Sequence, residues 1–349
     1  MALKWGICAA GKISNDFVLS LNALSDADHK ICAVAASDLG RAKAFAKTHN
    51  ILKAYSSYEE LAADKDVGIV YIGNLNTQHF STTKLMLSSG KHVLCEKPLA
   101  VNVNETKALF KIAKAKNLFL MEAIWSRCFP AYHKVQELLD SDVIGTVNHV
   151  QAHFGEVFEP IAPRILSRDQ AGGALLDRGI YPVQFAQFVF KEKPLKQSSH
   201  ASLTETGVDE TCHIFLTYSN ERTAFVSTSF VANFPNEAVI CGTKGTIKVC
   251  FPLWCPNKVE LIINYGEPEV FQFDLPARPT YADYNFRNSE GLQYEAEEVR
   301  RCINEGLIES PLVTSEMSIG IAQIIENARK EIGYSLPQDD VDCDEQSVV

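Results

Sequence analysis

The sequence predicts two domains: an α/β domain with a parallel sheet, then an α+β domain with a large, mostly antiparallel open sheet. A chain of 349 residues is longer than one hydrophobic core usually supports. Strand-like and helix-like segments alternate strictly up to residue 125, which is typical of a parallel sheet with helices on both faces. Later segments mostly alternate apolar and polar residues, as half-buried antiparallel strands do. We therefore expect domains over 1–125 and 126–337, and a flexible tail over 338–349.

The first domain begins with an apolar strand that leads directly into a helix. After residues 3–8, the side chains of Ile13, Phe17, Leu21 and Leu24 recur at helical spacing. Similar apolar runs predict further strands at 31–36, 67–72, 91–95 and 118–122. Between these runs, the sequence predicts helices at 38–48, 58–62, 78–89 and 102–116.

The second domain combines a run of strands with a few helices. Segments such as 222–231 alternate at period two, and turn-forming pairs such as Ser219-Asn220 and Tyr265-Gly266 separate them. The predicted strands lie at 146–156, 208–218, 222–231, 237–241, 245–250, 258–263 and 269–273. Helices are expected at 130–140, 172–190, 289–305 and 315–332, and the last two can pack back against the first domain.

The composition excludes several classes of protein. It is 46% hydrophobic and 22% charged, as in water-soluble globular proteins, and its net charge of −10 disfavours nucleic acid or an anionic membrane as a partner. No stretch approaches the roughly 18 apolar residues of a membrane span, and the amino terminus lacks the pattern of a signal peptide. The ten cysteines are scattered, without the spacing of a zinc site. We expect reduced thiols, no metal and a cytoplasmic location.

The turn after the first strand lies where a dinucleotide-binding fingerprint is expected. Against the pattern G-x-G-x-x-G, the segment Ala9-Ala10-Gly11-Lys12-Ile13-Ser14 keeps only the middle glycine. That glycine lets the backbone approach a pyrophosphate, which the amino terminus of the next helix attracts. A tight turn without a ligand is the alternative. Because the turn opens an alternating α/β domain, we interpret Ala9, Gly11, Lys12 and Ile13 as coenzyme-binding residues of a Rossmann domain.

The residues at the end of the second strand indicate whether a dinucleotide-binding domain prefers NAD or NADP. NAD enzymes usually place an acidic residue there, which accepts a hydrogen bond from the adenosine ribose. Here Ser37 and Arg41 can hold a 2′-phosphate instead, the arginine through charge-assisted hydrogen bonds. Asp38 can serve NAD, or can simply cap the helix while Arg41 stays in solvent. NADP is the favoured coenzyme, and NAD stays possible because Asp38 can serve it.

Polar residues at the ends of the following strands are further candidates. The carboxyl ends of parallel strands face the crevice in which open α/β sheets bind ligands. Pro98 fixes the turn that aims the ammonium group of the preceding lysine. The alternatives are a structural role for His79 and a position in solvent for the Lys97 side chain. The expected coenzyme contacts are Tyr71, Asn76, His79, Glu96 and Lys97.

Four segments carry a resemblance to a known family. They are the Gly11 loop, Asn76-Thr77-Gln78-His79, Glu96-Lys97-Pro98 and Gly172-Gly173-Ala174-Leu175-Leu176-Asp177-Arg178-Gly179-Ile180-Tyr181. In this order they resemble the glucose–fructose oxidoreductase/inositol dehydrogenase family of NAD(P)-dependent oxidoreductases, over almost the whole chain. The chain is most similar to the dimeric dihydrodiol dehydrogenase branch, also described as NADP-dependent D-xylose dehydrogenases. Ser37 and Arg178 depart from that branch, which typically carries Arg and an apolar residue there.

The predicted chemistry centres on two residues of one helix. Asp177 and Tyr181 are four residues apart and therefore share a helix face. A tyrosine, with a pKa near ~10, accepts an alcohol proton at neutral pH only if a neighbouring cation favours the phenolate. The resemblance implies Tyr181 as the acid/base, Lys97 as that cation and Asp177 as an orienting residue. Relatives with histidine at the tyrosine position imply a second assignment, in which Lys97 itself exchanges the proton.

The predicted substrate site combines an aromatic wall with these polar groups. Aromatic side chains at such positions are also common in cores, which is the alternative. The resemblance implies oxidation of D-xylose to its lactone and of trans-dihydrodiols to catechols, in a homodimer formed through the second sheet. A non-catalytic NADP-binding regulator of the same fold is the alternative function. The expected substrate-binding residues are Trp125, Phe154, Asp177, Ile180, Tyr181 and Trp254, with Arg127, Arg164 and Arg168 as further polar candidates.

Overall fold

The first sheet is parallel throughout, in a computed structural model that describes residues 2–279 and 282–340. Its strands lie in the order β3-β2-β1-β4-β5-β6, so the chain leaves β1 on one side and returns on the other with β4. This is the strand order of a dinucleotide-binding sheet, with its ligand crevice at the carboxyl ends. The strands are β1 (Leu3–Cys8), β2 (His29–Ala35), β3 (Lys53–Tyr55), β4 (Ile69–Ile72), β5 (His92–Glu96) and β6 (Leu120–Ala123).

Three of the helices around this sheet begin at a side-chain cap. Asp38 accepts a hydrogen bond from the Arg41 amide, and Ser57 forms a reciprocal capping box with Glu60. Each such bond satisfies an amide that the first helical turn leaves unpaired. The fourth helix begins at Asn76, two residues earlier than predicted. The helices are α1 (Lys12–Leu21), α2 (Leu39–His49), α3 (Tyr58–Ala63), α4 (Asn76–Ser88) and α5 (Val103–Ala115).

The second sheet has eight strands and is mostly antiparallel, as predicted. Its order is β14-β13-β12-β11-β7-β10-β9-β8, and β7 with β10 form its parallel pair. The edge strand β8 was not predicted, because its sequence KQSSHASL is polar and lacks an apolar face. The strands are β7 (Val147–Gly155), β8 (Lys196–Leu203), β9 (Asp209–Thr217), β10 (Thr223–Ser229), β11 (Ala238–Gly242), β12 (Gly245–Val249), β13 (Lys258–Ile263) and β14 (Glu269–Gln272).

Four helices complete the described part of the chain: α6 (Pro130–Asp140), α7 (Ile180–Phe190), α8 (Leu292–Asn304) and α9 (Ser315–Glu331). The predicted helix over 172–190 is shorter, because Gly173 has a φ of +95° and residues Leu175–Gly179 form a π-helical turn before α7. All residues of α7 except Val189 are buried, since the helix packs against β7, β10 and α9. The last two helices reach the first sheet's layer, where α8 packs on α1 and α9 on α5.

The carboxyl end of the described chain is packed, in contrast to the flexible tail expected from residue 338. Residues Pro337–Asp340 form a 3-10 turn, and Asp339 pairs with the buried Arg329 at 2.8 Å. Arg329 also donates to the Val101 carbonyl at 3.1 Å, which ties this turn to the first domain. The rest of the expected tail, 341–349, lies outside the described residues.

The described residues can be characterised for membrane-spanning helices, for disulfide bonds and for metal-binding clusters. No helix within 2–279 and 282–340 is long and apolar enough to cross a lipid bilayer. The nine cysteines in these ranges are all free thiols. The same ranges contain no cluster of three or more side chains suited to holding a metal ion.

Candidate active site at the edge of the parallel sheet

Lys97 stands where β5 ends, in a turn that the neighbouring strand holds. The Lys97–Pro98 peptide bond is cis, and the Leu99 amide donates to the Glu122 carboxylate of β6 at 2.8 Å. Lys97 Nζ donates to the main-chain carbonyl of Asp177 at 2.7 Å and lies 5.2 Å from the centre of the Tyr181 ring. Burial lowers the pKa of Lys97, while the negative charges of Asp177 and Glu96 oppose that shift. The structure thus brings Lys97, Asp177 and Tyr181 together.

Asp177 is the centre of a cationic cluster that sequence analysis did not foresee. Its carboxylate pairs with Arg164 Nη1 at 2.8 Å and with Arg178 Nε at 3.5 Å. Burial on its own raises the pKa of Asp177, but the positive charges of Lys97, Arg164 and Arg178 outweigh it and hold the pKa below its ordinary value. Asp177 is therefore a carboxylate at neutral pH.

Arg178 is buried behind Asp177, although the expected residue here is apolar. It is 3% exposed, and its Nη1 donates to the main-chain oxygens of Glu156 and of Ser229, the latter at 3.1 Å. Its guanidinium lies over the ring of Phe154, with 5.6 Å between the guanidinium carbon and the ring centre. The arginine therefore joins the π-helical turn before α7 to the loop after β7, and the sequence signalled this only through its departure from the family pattern.

The hydroxyl of Tyr181 lies in an apolar pocket and stays protonated. Trp125 Nε1 donates to Tyr181 Oη at 2.9 Å, and the tyrosine is 7% exposed. Burial, followed by the negative charge of Glu96, raises the pKa of Tyr181 well above its ordinary value. Lys97 does not contact the hydroxyl itself. The lowering of the Tyr181 pKa by Lys97 stays a prediction, and the protonated hydroxyl is available as a proton donor.

The predicted aromatic wall is a stack of buried rings next to Tyr181. Phe154 and Trp254 are parallel, with ring centres 3.9 Å apart, and Phe154 lies 5.8 Å from the Tyr181 ring. Trp125 joins them through its hydrogen bond to the tyrosine. Ile180, the remaining predicted substrate residue, lines a small cavity behind the Lys97 turn, with Pro98, Leu176 and residues of α9.

The turn after β1 has the geometry of a pyrophosphate-binding loop. Gly11 is the N-cap of α1 and no side chain caps this helix, so its first amides are available to an anion. Ala9 has a φ of +78°, a conformation that bends the chain sharply before the helix. A side chain at Gly73, at the end of β4, would reach 2.7 Å from Ser14 Oγ, so the two turns approach closely. Lys12 is exposed at the helix start and Ile13 is half-buried.

At the end of β2, the acidic and basic candidates have different roles. The Asp38 carboxylate is occupied in capping α2, where it accepts from the Arg41 amide at 2.8 Å. The Arg41 side chain reaches back over the β1 turn, with Nη2 3.5 Å from the Ala10 carbonyl. Ser37 is exposed beside it. An exposed cation and a hydroxyl therefore flank the place where an adenosine ribose would lie.

The remaining coenzyme candidates are buried or half-buried at the carboxyl edge of the parallel sheet. Tyr71 is fully buried, stacks on Phe17 at 3.9 Å and donates to the Glu96 carboxyl at 2.6 Å. Burial raises the pKa of Glu96. Asn76, the first residue of α4, is half-buried.

His79 is buried and its ring contacts main-chain carbonyls, which fits the alternative, structural role. Its two ring nitrogens lie 2.7 Å from the Pro98 carbonyl and 3.2 Å from the Asn74 carbonyl. Burial lowers the pKa of His79 to about 4, so the ring is neutral. The histidine links α4 to the Lys97 turn.

Comparisons with known proteins agree with this geometry. Residues 3–124 match the model of the oxidoreductase family with an NAD-binding Rossmann fold, and residues 132–248 match the GFO/IDH/MocA C-terminal domain. Over 97% of its length, the chain is 45% identical to trans-1,2-dihydrobenzene-1,2-diol dehydrogenase of Xenopus tropicalis, and 44% identical to the Homo sapiens protein of that name. These matches cover 100% and 99% of the two relatives.

Solved structures share the same fold. A 3-ketoreductase from Actinomadura kijaniata, KijD10, in complex with NADP and TDP-benzene, superimposes with a TM-score of 0.80 at 23% identity, over 95% of this chain and 98% of that one. An aldose-aldose oxidoreductase from Caulobacter crescentus gives a TM-score of 0.81 at 22% identity, with the same coverage of both chains. At these low sequence identities, the similarity shows a shared fold and nothing more. Together with the full-length relatives, the two family matches establish that this chain is an oxidoreductase of the GFO/IDH/MocA family.

Proposed function

We propose that this chain is an NADP-dependent dehydrogenase of cyclic polyols. It oxidises trans-dihydrodiols of aromatic compounds to catechols and D-xylose to D-xylonolactone. The observation that carries the proposal is the meeting of Lys97, Asp177 and Tyr181 at the carboxyl edge of the parallel sheet, with Lys97 Nζ 2.7 Å from the Asp177 carbonyl. The full-length relatives, named as dihydrodiol dehydrogenases, support the substrate class.

The coenzyme would lie across the turns after β1 and β2. The nicotinamide supplies the hydride acceptor of the reaction when it is bound. The α1 amino terminus at Gly11 favours the pyrophosphate, because its amides are unpaired there. Arg41 and Ser37 would hold a 2′-phosphate. NADP is favoured over NAD because the exposed cation of Arg41 suits a phosphate, while Oδ1 of Asp38, the acidic residue that would bind a ribose hydroxyl, already accepts from the Arg41 amide.

Tyr181 would exchange the proton with the substrate oxygen. Trp125 donates to Tyr181 Oη, which leaves the tyrosine's own O–H able to donate to a substrate oxygen. In the direction of carbonyl reduction, the protonated hydroxyl donates to the forming alcohol oxygen. In the oxidation direction the phenoxide must accept that proton, and the positive charge of Lys97 over the ring reduces the cost of forming it. Asp177 would orient the Lys97 ammonium through its main-chain carbonyl.

Substrate rings would lie against the Phe154–Trp254 stack. The two rings would form the apolar side of the substrate site, while Tyr181 and Lys97 address the hydroxyls of a cyclic diol or a pyranose. We expect this protein in the cytoplasm, as its free cysteines suit a reducing compartment.

The assembly would be a homodimer formed through the outer face of the second sheet. Phe215 of β9 and Phe225 of β10 are register partners, and they are 44% and 39% exposed. Their alternate neighbours Leu216 and Ala224 face the core and are fully buried. Two adjacent exposed phenylalanines on a flat sheet suit a self-complementary contact.

The experiment that tests the function follows the absorbance of the reduced nicotinamide. Purified protein is mixed with NADP⁺ and either a trans-dihydrodiol of benzene or D-xylose, and a cis-dihydrodiol serves as the matched control. We expect reduced coenzyme to accumulate with the trans-diol. If NADP⁺ binds but no polyol reduces it, the dehydrogenase proposal is overturned and a coenzyme-binding regulator takes its place.

A further inference from the structure

Asp209, the first residue of β9, lies against the start of the helix that carries Asp177 and Tyr181. The residue is fully buried, and its Oδ2 accepts a hydrogen bond from the Leu175 amide at 2.7 Å. Asp209 contacts none of the proposed reacting groups. Its carboxyl instead joins the second sheet to the first residue of the π-helical turn.

The Gly172-Gly173 segment makes room for this carboxyl. Gly173 has a φ of +95°, and a side chain there would place its Cβ 2.2 Å from Asp209 Oδ1. Both the backbone conformation and the space therefore require glycine at residue 173. Asp209, 36 positions later in the chain, thus explains the second glycine of the family segment, whereas a Cβ on Gly172 would lie 2.4 Å from the Ile165 carbonyl oxygen.

The start of the helix is held from both sides. While Asp209 accepts from the Leu175 amide, Thr228 Oγ of β10 donates to the Ala174 carbonyl at 3.2 Å. Two residues farther on, the Asp177 carbonyl receives the Lys97 ammonium. A displacement of the Leu175 amide is therefore transmitted along one π-helical turn to the atom that orients Lys97.

We propose that the ionised carboxyl of Asp209 is a positioning group, which fixes the start of the catalytic helix so that the Asp177 carbonyl and Tyr181 meet Lys97. The proposal rests on the proposed function, because positioning is measured through turnover. The Asp209 carboxyl accepts from the Leu175 amide and lies away from the turns proposed to bind coenzyme, so we expect its removal to alter kcat without weakening the binding of coenzyme.

Titration of Asp209 gives the proposal a signature in the pH profile. Burial raises the pKa of Asp209 to about 7, although the Leu175 and Ala174 amides and the charge of Arg329 oppose the shift. Cys212 and Tyr334 are the other titratable groups that face it. Proton uptake removes the charge to which the Leu175 amide is bonded. We therefore expect kcat to fall as the pH drops through about 7.

The test compares Asp209→Asn with Glu105→Gln. Glu105 is a matched control, because burial also raises its pKa to about 7 and it lies on α5, away from the catalytic helix. The measurements are kcat from pH 5 to 9 (about two units on each side of 7), the Kd of NADP⁺, and amide hydrogen exchange of residues 172–181. We expect Asp209→Asn to lose roughly tenfold to a hundredfold in kcat, since a misplacement of about 1 Å can cost about a hundredfold. Its coenzyme Kd should stay at the wild-type value and its inflection near pH 7 should vanish, while Glu105→Gln keeps both.

Several results overturn the positioning role. They are a kcat for Asp209→Asn within about twofold of wild type, an unchanged inflection in its pH profile, and a loss confined to coenzyme binding. If Asp209→Asn does not fold, Asp209→Ser keeps a hydroxyl acceptor without a charge and is measured in the same way. The wild-type protein supplies a third test, since its Leu175 amide must exchange faster below pH 7, relative to the intrinsic rate, if Asp209 holds it.

Failure of the proposed function is distinguishable from failure of this inference. If the wild-type protein turns over no polyol, the dehydrogenase proposal fails, while hydrogen exchange at residues 172–181 still reports whether Asp209 anchors the helix. If the wild type is active and the exchange in Asp209→Asn is unchanged, only the positioning role fails.

Discussion

Replacing Tyr181 with phenylalanine removes one oxygen from the centre of the candidate site. The phenyl ring should keep its position beside Phe154, so the only space created is that of the hydroxyl group. The lost atom is Tyr181 Oη, which accepts from Trp125 Nε1 at 2.9 Å and is the proposed proton donor. The substitution therefore tests the chemistry and the buried hydrogen bond at once.

The two consequences have separate magnitudes. Loss of a positioned acid/base group typically reduces turnover about a hundredfold to ten-thousandfold. An indole N–H left buried without an acceptor costs about 1–3 kcal/mol of the free energy of unfolding. Because the coenzyme candidates lie on the turns after β1 and β2, the affinity for NADP⁺ should not change.

Tyr132→Phe is the matched control. Tyr132 is 1% exposed, and its hydroxyl accepts from Gln184 Nε2 at 2.6 Å, outside the site. We expect the two variants to lose similar stability in urea denaturation, but only Tyr181→Phe to lose kcat. Wild-type kcat in Tyr181→Phe would refute the proton-transfer role and transfer it to Lys97. Equal losses of kcat in both variants would mean that the Tyr181 hydroxyl contributes through packing and not through proton transfer.

Four further outcomes are expected. Arg41→Ala should raise the KM for NADP⁺ roughly tenfold to a hundredfold, through loss of charge-assisted bonds worth about 1.5–3 kcal/mol, and leave the KM for NAD⁺ unchanged; equal effects in a steady-state comparison would exclude the phosphate clamp. Arg178→Leu leaves the Glu156 carbonyl without its donor and should lower the free energy of unfolding in urea by about 1–3 kcal/mol; a stabilised variant would show that desolvating the arginine costs more than its bonds contribute. The pKa of His79 is lowered by burial from 6.5 to about 4, so the unfolded chain takes up the proton first, and stability should fall by about 3 kcal/mol as the pH drops from 6.5 to 4; His79→Gln should remove this part of the pH dependence of urea denaturation, and an unchanged slope would contradict it. Phe225→Lys should convert a dimer into monomers in sedimentation, whereas a monomeric wild type would remove the basis for the sheet interface.

Strand and helix positions followed from local patterns wherever those patterns were strong. The segments at 3–8, 91–95 and 258–263 are strands in the structure within about a residue at each end, because apolar runs between turn residues leave little choice. The strand at 196–203 escaped prediction because its exposed edge needs no apolar side chains. The helix expected from 172 begins later, since Gly173 adopts a positive φ that a helix cannot contain.

The candidate site was only partly predictable. Lys97, Asp177 and Tyr181 were each identified from motifs, but Asp177 holds Lys97 through its main-chain carbonyl and turns its carboxylate to Arg164. No spacing rule predicts this, because the two partners of the main-chain bond are 80 residues apart. Asp209 escaped notice for the same reason, as only the fold brings β9 to the helix start.

By itself, the sequence determined the fold class, a parallel sheet followed by a mostly antiparallel one, and it predicted Lys97, Asp177 and Tyr181 as the central residues of the site. These depend on periodicity, turn residues and short motifs, which act between near neighbours in the chain. The tertiary structure alone gives the burial of Tyr181, the ion pairs of Asp177 and the contacts of the His79 ring with two main-chain carbonyls. Each of these depends on how far water is excluded and which charges lie within a few ångströms, and both follow from the packing of distant segments.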